Sequence, residues 1–164
     1  MAGQTATGGG PTRHLSRAEQ TAVTARLLEA KEERGLTFAD LGTRIGRSEV
    51  WVATAIYGQA TMSADEAAAL AEGLGLDASF CHPLTGVPTR GALESPVPVD
   101  PLLYRFYEII QVFGPAIKAV IHEKFGDGIM SAIDFRLSID RLPDPAGDRV
   151  VVTYDGKFLP YRKW

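Results

Sequence analysis

Two short stretches hold most of the residues able to do chemistry: Tyr104-Arg105-Phe106-Tyr107-Glu108 and Lys124-Phe125-Gly126-Asp127-Gly128-Ile129-Met130-Ser131. On a helix Arg105 and Glu108 stand at i and i+3 and share one face. A guanidinium with several fixed donors suits a small anion; the simpler reading is a surface ion pair worth well under about 1 kcal/mol. The Gly126-Asp127-Gly128 turn delivers Ser131 near the start of a strand. Glycines there suit a backbone cradle for an anion, and equally a helix C-cap. The spacing of a P-loop is absent.

The other reactive side chains read as structural. His122-Glu123 opens a zinc-type H-E-x-x-H pattern, but position 126 is Gly126, so the second ligand is missing and no metal is expected. Cys81-His82 has no second pair beside it, and a buried small thiol is the simpler role. His14 falls in the leader. Trp51 and Trp164 fit core or interface positions, Tyr104 and Tyr107 fit packing as well as a site, and Lys118 and Lys124 fit solubility as well as local positive potential.

The elements that must position these groups divide the chain in two. Residues 1–14 are Gly/Thr-rich and read as a disordered leader without the apolar stretch of a secretory signal. Residues 15–81 read as a helical domain. Its helices are expected at about 19–34, after Thr37 to Gly46, after Ser48 to Gly58, and from Ser63, whose spacing to Glu66 is that of a capping box, to Leu74. A short turn follows near 77–80. Residues 82–99, with Pro83, Pro88, Pro96, Pro98, Gly86 and Gly91, read as an extended linker.

Residues 100–164 form the second domain. Asp100-Pro101 is an N-cap with proline at the first helical position, and the helix that follows is expected to bury Leu102, Phe106, Ile109, Ile110 and Phe113. Gly114-Pro115 is expected to break it, with a second helix over about 116–125. Strands are expected over 129–139 and 149–154, with Asp155-Gly156 as a hairpin turn before Phe158-Leu159. The class is α+β. So small a domain holds too little core to stand alone, so it is expected to complete its core with other subunits.

Composition narrows the function. The 164 residues are 45% hydrophobic and carry a net charge of -3. The single cysteine, Cys81, cannot form an internal disulfide, which favours a reducing compartment, and a cytoplasmic protein is expected. No apolar run is long enough to span a bilayer. The three short helices after residue 37 have the look of a phage-repressor helix-turn-helix, with 48–57 as recognition helix. That segment has no Lys, Arg, Asn or Gln, and 37–80 holds Arg44 and Arg47 against six carboxylates. No nucleic-acid partner is expected.

The run DPLLYRFYEIIQVFGPAIKAVIHEKFGDGIMSAIDF, followed by DGKFLP, resembles cyanase (cyanate hydratase, or cyanate lyase). The likeness is strong over about 100–160 and looser from about Leu15. It implies a catalytic trio at Arg105, Glu108 and Ser131; departures such as Phe113 and Asp134 fall outside it. It also implies a helix-turn-helix-like N-domain, an intertwined dimeric C-domain, and a homodecamer of five dimers with active sites at subunit interfaces. The implied reaction takes cyanate and the co-substrate bicarbonate to carbamate and carbon dioxide; carbamate then yields ammonia. No cofactor is expected. Two anions that repel each other need a fixed cation, which suits Arg105 as anion clamp. Ser131 suits an orienting hydroxyl, not a covalent nucleophile, because no histidine is evident as its base. Glu108 suits holding Arg105 in place, with a proton relay left open. The alternative is an acidic oligomeric helix-turn-helix regulator or ligand-binding scaffold without catalysis.

Overall fold

Short polar side chains decide where the helices start. Ser16, Thr37, Ser48, Ser63 and Asp77 each sit extended at an N-cap and accept a backbone amide from the first turn. Three of them close a full capping box, Ser16 with Glu19, Thr37 with Asp40 and Ser63 with Glu66, so two orphan donors are satisfied at each end. The computed structural model describes residues 15–91, 93 and 95–164, so the leader expected at 1–14 lies outside the described residues. In chain order the elements are α1 (Arg17–Glu33), α2 (Phe38–Ile45), α3 (Glu49–Ile56), α4 (Ala64–Leu74), α5 (Ala78–Cys81), a 3-10 turn (His82–Thr85), α6 (Pro101–Phe125), β1 (Gly128–Leu142) and β2 (Arg149–Pro160). The chain divides after Gly91 into two compact units.

The first unit is built on a conventional core. Leu27 from α1, Leu41 from α2, Val52 and Ile56 from α3, and Leu70 and Leu74 from α4 are all fully or almost fully buried. Gly46 and Gly75 end α2 and α4 in the left-handed conformation that an L side chain resists. The unit does not stop at Cys81. His82–Thr85 is a 3-10 turn rather than an extended connector; Leu84 is buried and its carbonyl accepts the Met62 amide at 2.9 Å. Pro83, expected to loosen this segment, instead occupies a first-turn position where its missing amide costs nothing. Arg47 is tied to Glu66 (Nε to Oε1, 2.6 Å) and stacks on Trp51, 4.9 Å from the ring centre.

The second unit has two departures from the expected backbone course. Helix α6 runs unbroken for 25 residues through Gly114-Pro115. A proline crowds the Cβ of the residue before it, and Gly114 has none, which removes that clash and leaves the lost amide donor and the ring's crowding of the Gln111 carbonyl as the costs. At 1.5 Å per residue α6 spans about 37 Å. The second departure is the hairpin turn. It lies at 143–148, where Asp144 accepts the Ala146 amide on its side chain (2.8 Å) and the Gly147 amide on its carbonyl (2.9 Å). Asp155-Gly156 lies inside β2, paired with Arg136 and Phe135. A type I′ turn needs positive φ at both central residues, and Gly156 is not among the positive-φ glycines.

The α6 stripe expected to be buried is not buried within the chain. No α6 residue is buried; Leu102 is 67%, Ile110 58% and Phe113 55% exposed. Among the described residues of this unit only Gly128 and Ser131 are buried.

Candidate active site

Helix α6 brings Arg105 and Glu108 together. One turn apart on the same face, they meet with Arg105 Nη1 2.5 Å from Glu108 Oε2. Arg105 Cζ also lies over the Tyr104 ring, 5.6 Å from its centre, and that ring lies 6.0 Å from the Tyr107 ring. The Arg105 side chain is still 62% exposed, and its bond to Glu108 uses Nη1 of a fork with five donors. The result is a cation fixed by one carboxylate and one aromatic face.

Ser131 is held differently. Between the pairs Met130–Phe158 and Phe135–Gly156 the register shifts, so that residues 131–134 of β1 face the single residue Lys157 of β2. Ser131 starts this looped-out stretch and closes it. Its Oγ accepts the amides of Ile133 (3.0 Å) and Asp134 (2.9 Å), and the residue is only 5% exposed. Both hydroxyl lone pairs are thereby engaged, and the O–H proton is what Ser131 has left to offer. A serine so held can offer a further partner only its proton, and is a poor nucleophile. The loop was hidden in the sequence because Ile129, Ile133 and Phe135 read as continuous strand. The signal was Ser131-Ala132-Ile133-Asp134, the same S-x-x-D spacing that caps helices.

Among the described residues no hydrogen bond or ion pair joins Ser131 to Arg105 or Glu108. The Gly126-Asp127-Gly128 turn serves as the helix stop, with the Gly126 amide donating to the His122 carbonyl at 2.9 Å. His122 Nε2 lies 3.3 Å from the Gly128 carbonyl; an oxygen that can only accept requires the proton on Nε2. Beside it, a cavity of about 280 Å³ is lined by Ile110, Ile117, Lys118, Ile121, His122 and Met130 among others. Cys81 is buried in the helical unit, and burial pushes its thiol up to about 11, which makes it an inert core residue.

Comparison with known proteins joins these observations to a family. The family of the cyanate lyase C-terminal domain matches residues 95–163, and that of the cyanate hydratase N-terminal domain matches 20–88. A cyanate hydratase of Acaryochloris marina is 56% identical over 142 residues, covering 87% of this chain and 97% of the relative. One from Synechocystis is 58% identical over 146 residues, covering 89% and 97%. The crystal structure of cyanase from T. urticae superposes with a TM-score of 0.75 at 37% identity, covering 85% of this chain and 97% of that one. By both domains and over most of its length, this chain belongs to the cyanate hydratase (cyanate lyase) family.

Proposed function

We propose that the protein is a cyanate hydratase, a carbon–nitrogen lyase that decomposes cyanate with bicarbonate as co-substrate. Cyanate, bicarbonate and one proton give carbamate and carbon dioxide; carbamate takes a second proton and falls apart to ammonia and carbon dioxide. Arg105 binds the anions and stabilises the negative charge that bringing them together concentrates. Glu108 holds the guanidinium, and Ser131 donates its hydroxyl proton to orient cyanate for attack at carbon by a bicarbonate oxygen. The observation that carries this reading is the exposed Arg105 fixed by Glu108 at 2.5 Å, on a segment that matches the family.

The site is completed between copies of the chain. Among the described residues, the second unit presents apolar side chains along α6 and both strands with no large one buried, and Ser131 makes no bond to the Arg105–Glu108 pair of its own chain. Both features support self-association, for which the family resemblance implies an intertwined dimer and a homodecamer of five dimers with active sites at the interfaces. A cytoplasmic setting accords with the unpaired Cys81. The regulator alternative gains nothing from α3: the neighbouring Arg47 is already neutralised by Glu66.

The test is ammonia released from cyanate by purified protein, with and without bicarbonate, in carbon-dioxide-depleted buffer. Bicarbonate-dependent release that disappears in Arg105→Ala is the expected result. No release from a folded oligomer would overturn the reading.

A further inference from the structure

We infer that Gly156 is a positioning residue for Ser131: its bare backbone is the floor on which the 131–134 loop seats the Ser131 hydroxyl. This rests on the reading of Ser131 as the group that orients cyanate. Glycine at 156 is not required by backbone conformation, since Gly156 is not among the positive-φ glycines. It is required by space. A Cβ built there would lie 2.5 Å from the Ser131 carbonyl oxygen, 2.5 Å from Met130 Cγ and 3.1 Å from Met130 Sδ.

The two neighbours differ in what they can do about it. Met130 is a flexible side chain with other rotamers open to it. The Ser131 carbonyl is backbone, and restoring an ordinary contact of about 3.5 Å means moving it by about 1 Å. The rest of Ser131 must follow, because its Oγ is clamped by the Ile133 and Asp134 amides of the same loop. Asp134 is in turn paired with Lys157, the residue after Gly156, at 3.8 Å. The loop therefore shifts as a body and takes the hydroxyl with it. A misplacement of about 1 Å in an orienting group costs on the order of 10²-fold in rate.

The experiment compares Gly156→Ala, Met130→Ala, Met130→Ala/Gly156→Ala, Ser131→Ala and Ser131→Ala/Gly156→Ala with the full-length assembled protein. Cyanate-dependent ammonia release gives kcat and KM; sedimentation and thermal melting establish assembly and folding. The expected result is a fall in kcat of about 10²-fold in Gly156→Ala, with KM for cyanate within about threefold because Arg105 still binds it. The defect should persist in the Met130→Ala/Gly156→Ala double variant, which removes the overlap with the side chain but not with the carbonyl. It should nearly vanish as an extra loss when Ser131 is already alanine. If Gly156→Ala does not assemble, the double variant with Met130→Ala, measured against Met130→Ala, is the deciding pair. Wild-type kcat in Gly156→Ala, rescue by Met130→Ala, or losses that multiply with Ser131→Ala would each overturn the inference. A wild-type protein that releases no ammonia would instead overturn the function, and full turnover in Ser131→Ala the role of Ser131.

Discussion

At the scale of single residues, the size of each interaction separates catalysis from stability. The Arg105–Glu108 pair is exposed and within one helix, so breaking it costs the fold well under about 1 kcal/mol. Arg105→Lys keeps the charge but loses the planar fork, and we expect kcat/KM for cyanate to fall by about 10- to 100-fold with little change in melting temperature. Glu108→Gln keeps the shape and loses the charge that holds Arg105; we expect about tenfold slower turnover, and full activity would remove Glu108 from the mechanism. Ser131→Ala is less simple, because it also removes the acceptor of the Ile133 and Asp134 amides, at about 0.5–1.5 kcal/mol per hydrogen bond. Ser131→Thr, which retains an Oγ, is the variant that separates the two effects. Cys81 should resist iodoacetamide at pH 8 in the folded protein, since burial raises its thiol to about 11, and rapid labelling there would contradict its place in the core.

At the scale of elements, the caps link sequence to stability most directly. Thr37→Ala removes the hydroxyl that caps α2 and should cost about 1 kcal/mol, read by denaturant unfolding. The same caps give the helical unit an acid sensitivity. Hydrogen bonds from the Thr37 hydroxyl and amide hold Asp40 below its ordinary 3.8, and those from Ser79 do the same for Asp77. Burial pushes Glu66 up, but the Ser63 amide and Arg47 together outweigh it and leave it below 4.5. Carboxylates lowered by folding stabilise the native state fully above those ordinary values and lose that contribution as pH falls through and below them. Melting followed by Trp51 fluorescence in Trp164→Phe protein should therefore drop in midpoint below about pH 4.5; a flat profile would mean that the caps contribute nothing. The sequence could be read this far because a cap is local: Ser63 and Glu66 are three residues apart and satisfy each other. The same local rules fail at Gly114-Pro115, inside a continuous helix, and at Asp155-Gly156, inside a strand. What these residues do depends on partners distant in sequence or on the helix around them. Gly156 meets Ser131 across the sheet, and Gly114 lets α6 run past its own proline. For the same reason the types and spacing of Arg105, Glu108 and Ser131 were legible, while the loop that spends both Ser131 lone pairs was not.

At the scale of the whole molecule, the two units meet the demand for a core in opposite ways. The first buries Leu27, Leu41, Ile56 and Leu70 completely or nearly so within one chain, and Leu70→Ala should cost it about 2–5 kcal/mol. The second, at this size, would be marginal even with a full core, and among its described residues no large apolar side chain is buried. In the proposed assembly other copies of the chain cover that apolar surface, and folding of this unit and assembly would then be one equilibrium that depends on protein concentration. Placing a carboxylate on that surface, as in Ile110→Glu, sets the cost of burying an unpaired charge against the gain from association. We expect the variant to sediment as smaller species and to lose cyanate turnover, while Trp51 still reports a folded helical unit. That combination would locate the defect in assembly, because Ile110 is two residues beyond Glu108 and makes no part of the Arg105 ion pair. Dissociated chains that still release ammonia at the wild-type rate would mean that one chain holds a complete site, and that Ser131 reaches the Arg105–Glu108 pair without a partner.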